Sequence, residues 1–510
     1  MVIFDRVPRV AAGAVASPRR RLALAAAGVA AGAALLAMAG SWIPSLWGDE
    51  AASVLSASRP VPSLLTMILH IDIVHAAYYL ALHAWVGLFG SSPFSVRFPS
   101  ALAIGVCAAA ITWMCGRAAT LGFGVLAGSL AAILPRLTYA GEEARSYAFA
   151  AALAAILCAL VVEMVLRGPS RGRWIAYTVV LTVAIYVFLY LALLTLAVGA
   201  AVAVIPVLRS QVRRWILASA AASVLALPLV AVAVTQIAQI GYLRKGDPAG
   251  PAPVLVQMWF STPVFAVIAW SLIGVAAAGL TRDVVVRHSP VGPIAALEIL
   301  ALCWLIIPMG ILIAAAPIMA GYTARYGTYA APAAAVLMAS GIRRLAQLPL
   351  RRGAGPVIAT VAVTAVVAAA APVWASQRTP FAKNQSDWDQ IAEVIGSRAR
   401  PGDAIVFDDG TRPSRRPRLA MDTDPAPFAV VNDVTLAVPY PNQDTWYDAT
   451  MPVDVAARDG RFDGVRRVWL VEYRIGDAVD TWGVAALHRL GFRERQQILD
   501  HRSVIALYTP

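Results

Sequence analysis

The chain has 510 residues, of which 59% are hydrophobic and 14% charged. Soluble globular domains carry about 25% charged residues, so the composition excludes an ordinary soluble enzyme and points to a polytopic α-helical membrane protein. The net charge of +13 does not imply a nucleic-acid partner, because the basic residues form short clusters between apolar runs rather than one patch.

In chain order, residues 1–21 read as a basic cytoplasmic N-terminus. The apolar run 22–40 ends in "AMAGS" but exceeds the usual 7–15-residue core of a signal peptide, so it reads as an uncleaved first transmembrane helix. A span needs about 20 apolar residues. On that length, further spans fall at 94–115, 119–137, 148–166, 173–188, 190–208, 215–233, 255–280, 291–316, 327–342 and 355–375, making about eleven. Arginines then punctuate every second connection: Arg19–Arg21, Arg117, Arg167–Arg173, Arg209–Arg214, Arg282 and Arg287, and Arg343–Arg352. The positive-inside rule puts these in the cytoplasm.

The segment "HAAYYLALHAWVGLFG" (75–90) is apolar but short. Counting it as a span would reverse the parity of the arginine clusters, so it is expected to lie on the outer surface as an amphipathic helix. Of the 29 acids, 10 precede residue 376 and 19 follow it. That shift divides a membrane domain, 22–375, from an extracytoplasmic α/β domain, 376–510. Within the latter, "SDWDQIAEVIGSRA" (386–399) predicts a helix with Ser386 as N-cap and an apolar face of Trp388, Ile391, Ala392 and Ile395. Residues 403–409, 466–473 and 503–509 predict strands, and the Pro- and Asp-rich stretch 411–456 predicts loops. Cys107, Cys115, Cys158 and Cys303 lie in apolar runs and read as core residues, with no disulfide framework or CxxC metal site.

With this parity, Asp49, Glu50, Asp72, Glu142, Glu143 and Arg325 all face outward, near helix ends. "SWIPSLWGDEAAS" sets Asp49 and Glu50 at the start of a loop of about fifty residues, long for a membrane connection. One carboxylate suits a general base; the alternatives are helix-end solvation or a pair with Arg59. In "TYAGEEARSYAF" (138–149), a helical reading puts Glu143 and Tyr147 on one face and Glu142 beside Arg145, to hold a sugar or phosphate or to form an ion-paired helix start. In "PIMAGYTARYGTYAAP" (317–332), Arg325 with Tyr322 suits a lipid-linked phosphate through forked, charge-assisted hydrogen bonds, or else snorkels to headgroups. Asp72-Ile-Val-His75 is too loose for a metal motif, so no cofactor is evident and a divalent-metal requirement is left open.

In this order, "WGDEAAS", "HAAYYLALHAWVGLFGSSPFSVRFPSAL", "EEARSYAF" and "ARY" resemble the GT-C superfamily of polyprenyl-phosphate-sugar-dependent glycosyltransferases. Within it, the chain looks most like the protein O-mannosyltransferase and aminoarabinose transferase group. The resemblance covers about residues 22–345 and is strongest over 41–150; the chain departs from the family in lacking a proline-rich step before its paired tyrosines, reading "HAAYY" there. It implies a GT-C-like fold, interfacial helices in the first extracytoplasmic loop (41–93), and Asp49 as the catalytic residue, assisted by Glu50. It further implies a polyprenyl-phosphate sugar donor, most readily of mannose. Arg325, Arg145 and Tyr322 would then bind the donor phosphate, while Glu142, Glu143, Tyr147, His75 and Asp72 would bind sugar or acceptor. The acceptor could be a glycolipid, polysaccharide or protein. Rival readings are transfer of arabinofuranose or aminoarabinose, a lipid or glycan transporter, or a non-catalytic envelope protein. No internal repeat favours the transporter, and Glu163 and Glu298 are the mid-span acids it would have to use.

Overall fold

A computed structural model describes residues 17–239, 241, 249–317, 322–349, 353–479 and 481–510. The expectations resting on Arg351, Arg352 and most of the basic segment 1–21 lie outside the described residues.

The apolar runs are helices. α1 (Pro18–Met38) opens on Ser17, whose side chain accepts the Arg20 N–H, and on Pro18 in the first turn, where a missing N–H costs nothing. The connection between α1 and the next long helix holds α2 (Gly48–Ala57), α3 (Val61–His70) and α4 (Ala76–Phe89). There follow α5 (Pro93–Ala118), α6 (Leu121–Ile133), α7 (Pro135–Gly141), α8 (Tyr147–Arg167), α9 (Arg171–Val187), α10 (Leu194–Val204), α11 (Pro206–Arg209), α12 (Val212–Leu225) and α13 (Leu227–Thr235). The bundle closes with α14 (Pro263–Thr281), α15 (Pro293–Ala315), α16 (Ala331–Ala346) and α17 (Ala354–Ser376).

Each expected span contains helix, although the one at 255–280 is broken over 258–262, and the expected count of eleven is not met by length. Among the described residues six helices are long and apolar enough to cross a membrane, or eight if each bent pair is one span. The pairs α6–α7 and α12–α13 bend by 65° and 53°; a proline in the first turn of α7 and of α13 cannot continue the preceding hydrogen-bond ladder. α9 and α16 have 17 and 16 residues, short of a full crossing.

Small residues set the spacing. A Cβ at Gly105 would lie 2.7 Å from the Ala30 carbonyl, and one at Gly124 would collide with the Thr112 carbonyl. α5 is thus clamped between α1 and α6 by backbone approach, the usual contact between helices in lipid.

The two ends of the bundle differ in chemistry. Glu163 pairs with Arg117 and Arg167, both at 2.9 Å, while Arg344 pairs with Asp283 at 2.8 Å and Glu298 at 2.6 Å. Arg117 and Arg344 stand in the last turns of α5 and α16, at the ends away from Arg97 and Arg325, and the supposed mid-span acids Glu163 and Glu298 are ion-paired to such arginines. At the other end stand Asp49, Arg97, Glu142–Arg145 and Arg325.

The C-terminal part begins with α18 (Trp388–Arg398), which buries Trp388, Ile391, Ala392 and Ile395 as expected. Asp387, not Ser386, occupies its N-cap position; Ser386 Oγ instead donates to the Leu46 carbonyl at 2.6 Å. The strands are β1 (Asp403–Phe407), β2 (Val431–Asp433), β3 (Leu436–Val438), β4 (Ala449–Thr450), β5 (Val468–Ile475), β6 (Ala478–Val479), β7 (Arg493–Leu499) and β8 (Ser503–Thr509). The main sheet has the order β2-β1-β5-β8-β7, with β6 folded back on β5. β1 is parallel to β2 and β5, and β8 is antiparallel to β5 and β7. Three short helices complete it: α19 (Leu419–Thr423), α20 (Val453–Arg458) and α21 (Val484–Arg489).

This part is seated on the connection between α1 and α5. The buried Arg59 donates to the carbonyls of Tyr440, Thr445 and, at 2.8 Å, Gln443. Ser63 Oγ donates to Pro441 O at 2.5 Å, and Asp389 N to Ser45 Oγ at 3.0 Å. Arg59 is therefore a docking residue, not the partner of Asp49 or Glu50.

Candidate active site

α2 starts at Gly48, so Asp49 and Glu50 lie in its first turn, where the helix dipole favours anions. Adjacent positions on a helix diverge by about 100°, and the two carboxylates meet opposite surroundings. Glu50 is fully buried: Arg97 Nε donates to its Oε1 at 2.7 Å, Arg97 Nη2 to its Oε2 at 2.6 Å, and Ala144 N to Oε1 at 2.9 Å. Arg97 spends its remaining donors on the carbonyls of Ser41, Pro44 and Ser45. Glu50 therefore ties α2, the 41–45 turn, α5 and the 142–146 segment together. The resemblance implies that Glu50 assists Asp49, whereas here both its oxygens are engaged by Arg97 and Ala144.

Asp49 faces the other way. Its Oδ2 accepts from Arg325 Nη1, and the side chains of Arg325 and Asp49 remain 23% and 20% exposed. The Arg325 guanidinium lies 5.7 Å from the centre of the Trp47 ring. Arg325 sits in a 3₁₀ turn, Ala324–Tyr329, just ahead of α16, with Tyr322 buried immediately before it.

Arg145 is the hub of the opposite wall. Its Nη1 reaches the Asp49 carbonyl (3.3 Å), Ser53 Oγ (3.4 Å) and Tyr79 OH (3.4 Å), and its Nη2 lies 3.0 Å from His75 Nε2. A guanidinium only donates, so His75 Nε2 accepts and the ring is neutral. Burial, with Arg145 and Arg325 nearby, also holds its pKa well below the usual histidine range. Tyr79 OH donates to Asp72 Oδ2 at 3.2 Å. Burial raises the Asp72 pKa against the pull of Arg145. Asp72 has φ 60° and its N–H donates to Gln239, which fastens this turn to the end of α13. His75 thus joins the site as a second neighbour of Asp49 through Arg145, and Asp72 one step further out through Tyr79.

The 138–149 stretch is not one helix. α7 ends at Gly141 and α8 starts at Tyr147, leaving Glu142–Ser146 as a buried turn. Glu142 faces away from Arg145 and pairs with Arg378 (3.3 Å) and Lys383 (3.4 Å). Burial pushes the Glu142 carboxyl up and the Lys383 amine down, each opposed by the other's charge. Lys383 Nζ also lies 3.5 Å from the Tyr139 ring centre. Glu143 points inward. Burial pushes its pKa up to about 7 against the attraction of Lys383, and its Oε1 is buried without a hydrogen-bond partner among the described residues. Tyr147 does not pair with Glu143 across a helix turn; its ring packs on Phe188 and Tyr326, with centroids at 5.6 and 6.4 Å.

Arg97, Tyr79, Ser53, Trp47, Arg378 and Lys383 were not singled out in the sequence. Arg97 lies inside the quoted "PFSVRFPS", and its depth in an apolar run was the available signal. Among the described residues no cluster of three or more His, Cys, Asp or Glu could hold a metal ion.

No protein-family model matches the chain, and no curated protein does. Among solved structures, ArnT from Cupriavidus metallidurans bound to undecaprenyl phosphate aligns over 94% of this chain and 97% of its own, with 15% identity and a TM-score of 0.57. The chain shares the ArnT fold. ArnT in the apo state aligns over the same shares, with 14% identity and a TM-score of 0.54. The oligosaccharyltransferase AglB from Archaeoglobus fulgidus, in complex with an inhibitory peptide and a dolichol-phosphate, reaches a TM-score of only 0.49 over 87% of this chain and 69% of its own, at 9% identity. The ArnT likeness spans bundle and C-terminal part alike. The expected likeness is therefore one of fold, over nearly the whole chain.

Proposed function

We propose that the protein is a membrane glycosyltransferase that moves a sugar, mannose in the first instance, from a polyprenyl phosphate to an extracytoplasmic acceptor with inversion. The observation that carries this reading is the part-exposed Asp49–Arg325 pair, with Arg145 beside it, at the end of the bundle away from the arginine clusters. Asp49 takes the proton of the acceptor hydroxyl as its oxygen attacks the anomeric carbon. The bond from that carbon to the phosphate oxygen breaks, and the lipid phosphate leaves with the electron pair. Arg325 and Arg145 stabilise the departing charge, so the leaving group needs no proton. Buried atoms without partners among the described residues, Glu143 Oε1, Arg145 Nε, Arg325 Nε and His75 Nδ1, fit a ligand rich in polar groups. The undecaprenyl phosphate bound by ArnT supports a donor of this class.

In this reading the arginine-rich end is cytoplasmic, 41–93 is the catalytic outer loop, and 376–510 is an extracytoplasmic domain. Glu163 and Glu298, paired at the arginine-rich end, are not placed as carriers along a transport path. Arabinofuranose or aminoarabinose as the moved sugar would use the same chemistry. The test is radiolabel transfer from a panel of defined polyprenyl-phosphate sugars into membrane extracts. Transfer from one donor into a glycolipid, polysaccharide or protein fraction identifies sugar and acceptor class. Absence of transfer from every donor, with the protein present and folded, defeats the reading.

A further inference from the structure

The stretch that leads out of the bundle, between α17 and α18, carries a lysine whose side chain has no exposure. Lys383 Nζ lies 3.4 Å from Glu142 Oε1 and donates to the Tyr139 carbonyl at 3.4 Å. Burying an ammonium is costly unless carboxylates face it, and those acting on Lys383 are Glu142, Glu143 and Glu50. The stretch itself is pinned on both sides of the lysine. Gln377 accepts from Thr138 Oγ1 and donates to the Pro135 carbonyl, both in α7, and Ser386 Oγ donates to the Leu46 carbonyl just ahead of α2.

Glu142 opens the buried turn 142–146, and that turn reaches α2 at two points. Ala144 N–H donates to Glu50, and Arg145 Nη1 donates to the Asp49 carbonyl. Ser100 of α5 holds the middle of the turn, its Oγ donating to the Glu143 carbonyl at 2.7 Å. The first residue of the turn is held by Arg378 and Lys383. Of these two cations, Arg378 is also committed elsewhere: it donates to the Ala39 carbonyl at 2.7 Å and lies 4.3 Å from the centre of the Trp374 ring. Lys383 is spent on Glu142 and Tyr139.

We propose that Lys383 is a positioning residue for sugar transfer: by holding Glu142 it sets the turn that places Arg145 against α2, so that the first residues beyond the bundle complete the Asp49 site. It acts through Glu142 and not on a substrate. The word transfer rests on the proposed function, whereas the link from Lys383 to α2 is measurable without turnover.

The experiment uses the full chain in nanodiscs and follows amide hydrogen exchange by mass spectrometry, which reads local opening. Lys383→Met removes the charge and keeps a long apolar stem; it should speed exchange across 142–146 and 48–53 and leave β5 and β8 as protected as in the wild type. Glu142→Gln, nearly isosteric, breaks the same link from the other side and should do the same, so the test stands even if Lys383→Met does not fold. Arg59→Gln loosens the seat of the C-terminal part without touching Glu142 and should leave 142–146 unchanged. In the transfer assay Lys383→Met should lower kcat by about tenfold or more, the scale of a misplaced catalytic group. Donor KM should change little, because Arg325 still faces the phosphate, and Lys383→Arg, which keeps the charge, should recover part of the loss. Wild-type exchange over 142–146 and 48–53 in Glu142→Gln overturns the proposal, as does equal speeding by Arg59→Gln or a lowered Tm with kcat unchanged in Lys383→Met. Absence of transfer by the wild type with the exchange result intact would count against the transferase reading alone.

Discussion

Asp49 and Glu50 are neighbours in sequence with opposite tasks, and the division follows from what surrounds them. Glu50 gives both oxygens to Arg97 and one also to Ala144 N–H. Asp49 keeps a fifth of its side chain open beside Arg325. Because Arg325 holds Asp49 as well as facing the proposed phosphate, its loss should register twice. Arg325→Ala is expected to raise donor KM on the order of 10–100-fold, the worth of a charge-assisted hydrogen bond, and to lower kcat as well. Arg325→Lys should fall between Ala and wild type. Steady-state kinetics over donor concentration reads both, and normal kinetics with a lowered Tm would make Arg325 a structural anchor. Glu143 offers a pH test. Its folded-state pKa of about 7 lies above the ordinary 4.5, so between those values the folded state holds the extra proton. Its contribution to stability is full below about pH 4.5 and is lost as pH rises through 7, at about 1.4 kcal/mol per unit of separation. Glu143→Gln, which cannot ionise, should flatten the fall in Tm between pH 5 and pH 8; an unchanged slope would place the titration elsewhere.

At the scale of elements, the apolar runs were legible because helix length and hydropathy are local properties. The bends at Pro135 and Pro228 were less so, since a proline marks a break without giving its angle. The partners of the acids were hidden. Glu50 meets Arg97 across 47 positions and Glu142 meets Lys383 across more than 240, separations on which no periodicity bears. The division at residue 376 concealed more, for it set Arg378 and Lys383 with the C-terminal part although both reach the turn after α7. Likewise the helical reading of 138–149 failed where α7 ends at Gly141, and the i, i+3 pairing of Glu142 with Arg145 failed with it. The seat of the C-terminal part on α2 also includes one close approach that needs a residue without a side chain. A Cβ at Gly48 would overlap the Ser414 carbonyl and lie 2.6 Å from Ser414 Cβ. Gly48→Ala should therefore push the two apart, seen as faster proteolysis within 376–387 and a lower transfer rate. Cleavage at the wild-type rate would show that the seat does not depend on this contact.

Across the whole molecule, Arg117, Arg167 and Arg344 with their acids stand at one end of the bundle and the Asp49 site at the other. The proposed orientation puts the arginine end in the cytoplasm. A reporter fused after Pro510 should then be active only when it functions outside the cytoplasm, and a cytoplasmic signal would reverse the assignment of the site. The account as a whole turns on Asp49 acting as the base toward a lipid-phosphate sugar. Its most direct test is transfer by the purified protein in nanodiscs, wild type against Asp49→Asn, using the donor and acceptor fraction found with the radiolabelled panel. The substitution keeps the shape and the helix start but removes the proton acceptor. The predicted result is a loss of about 10²–10⁴-fold in kcat with the Tm little changed. Transfer by Asp49→Asn at close to the wild-type rate would contradict the account.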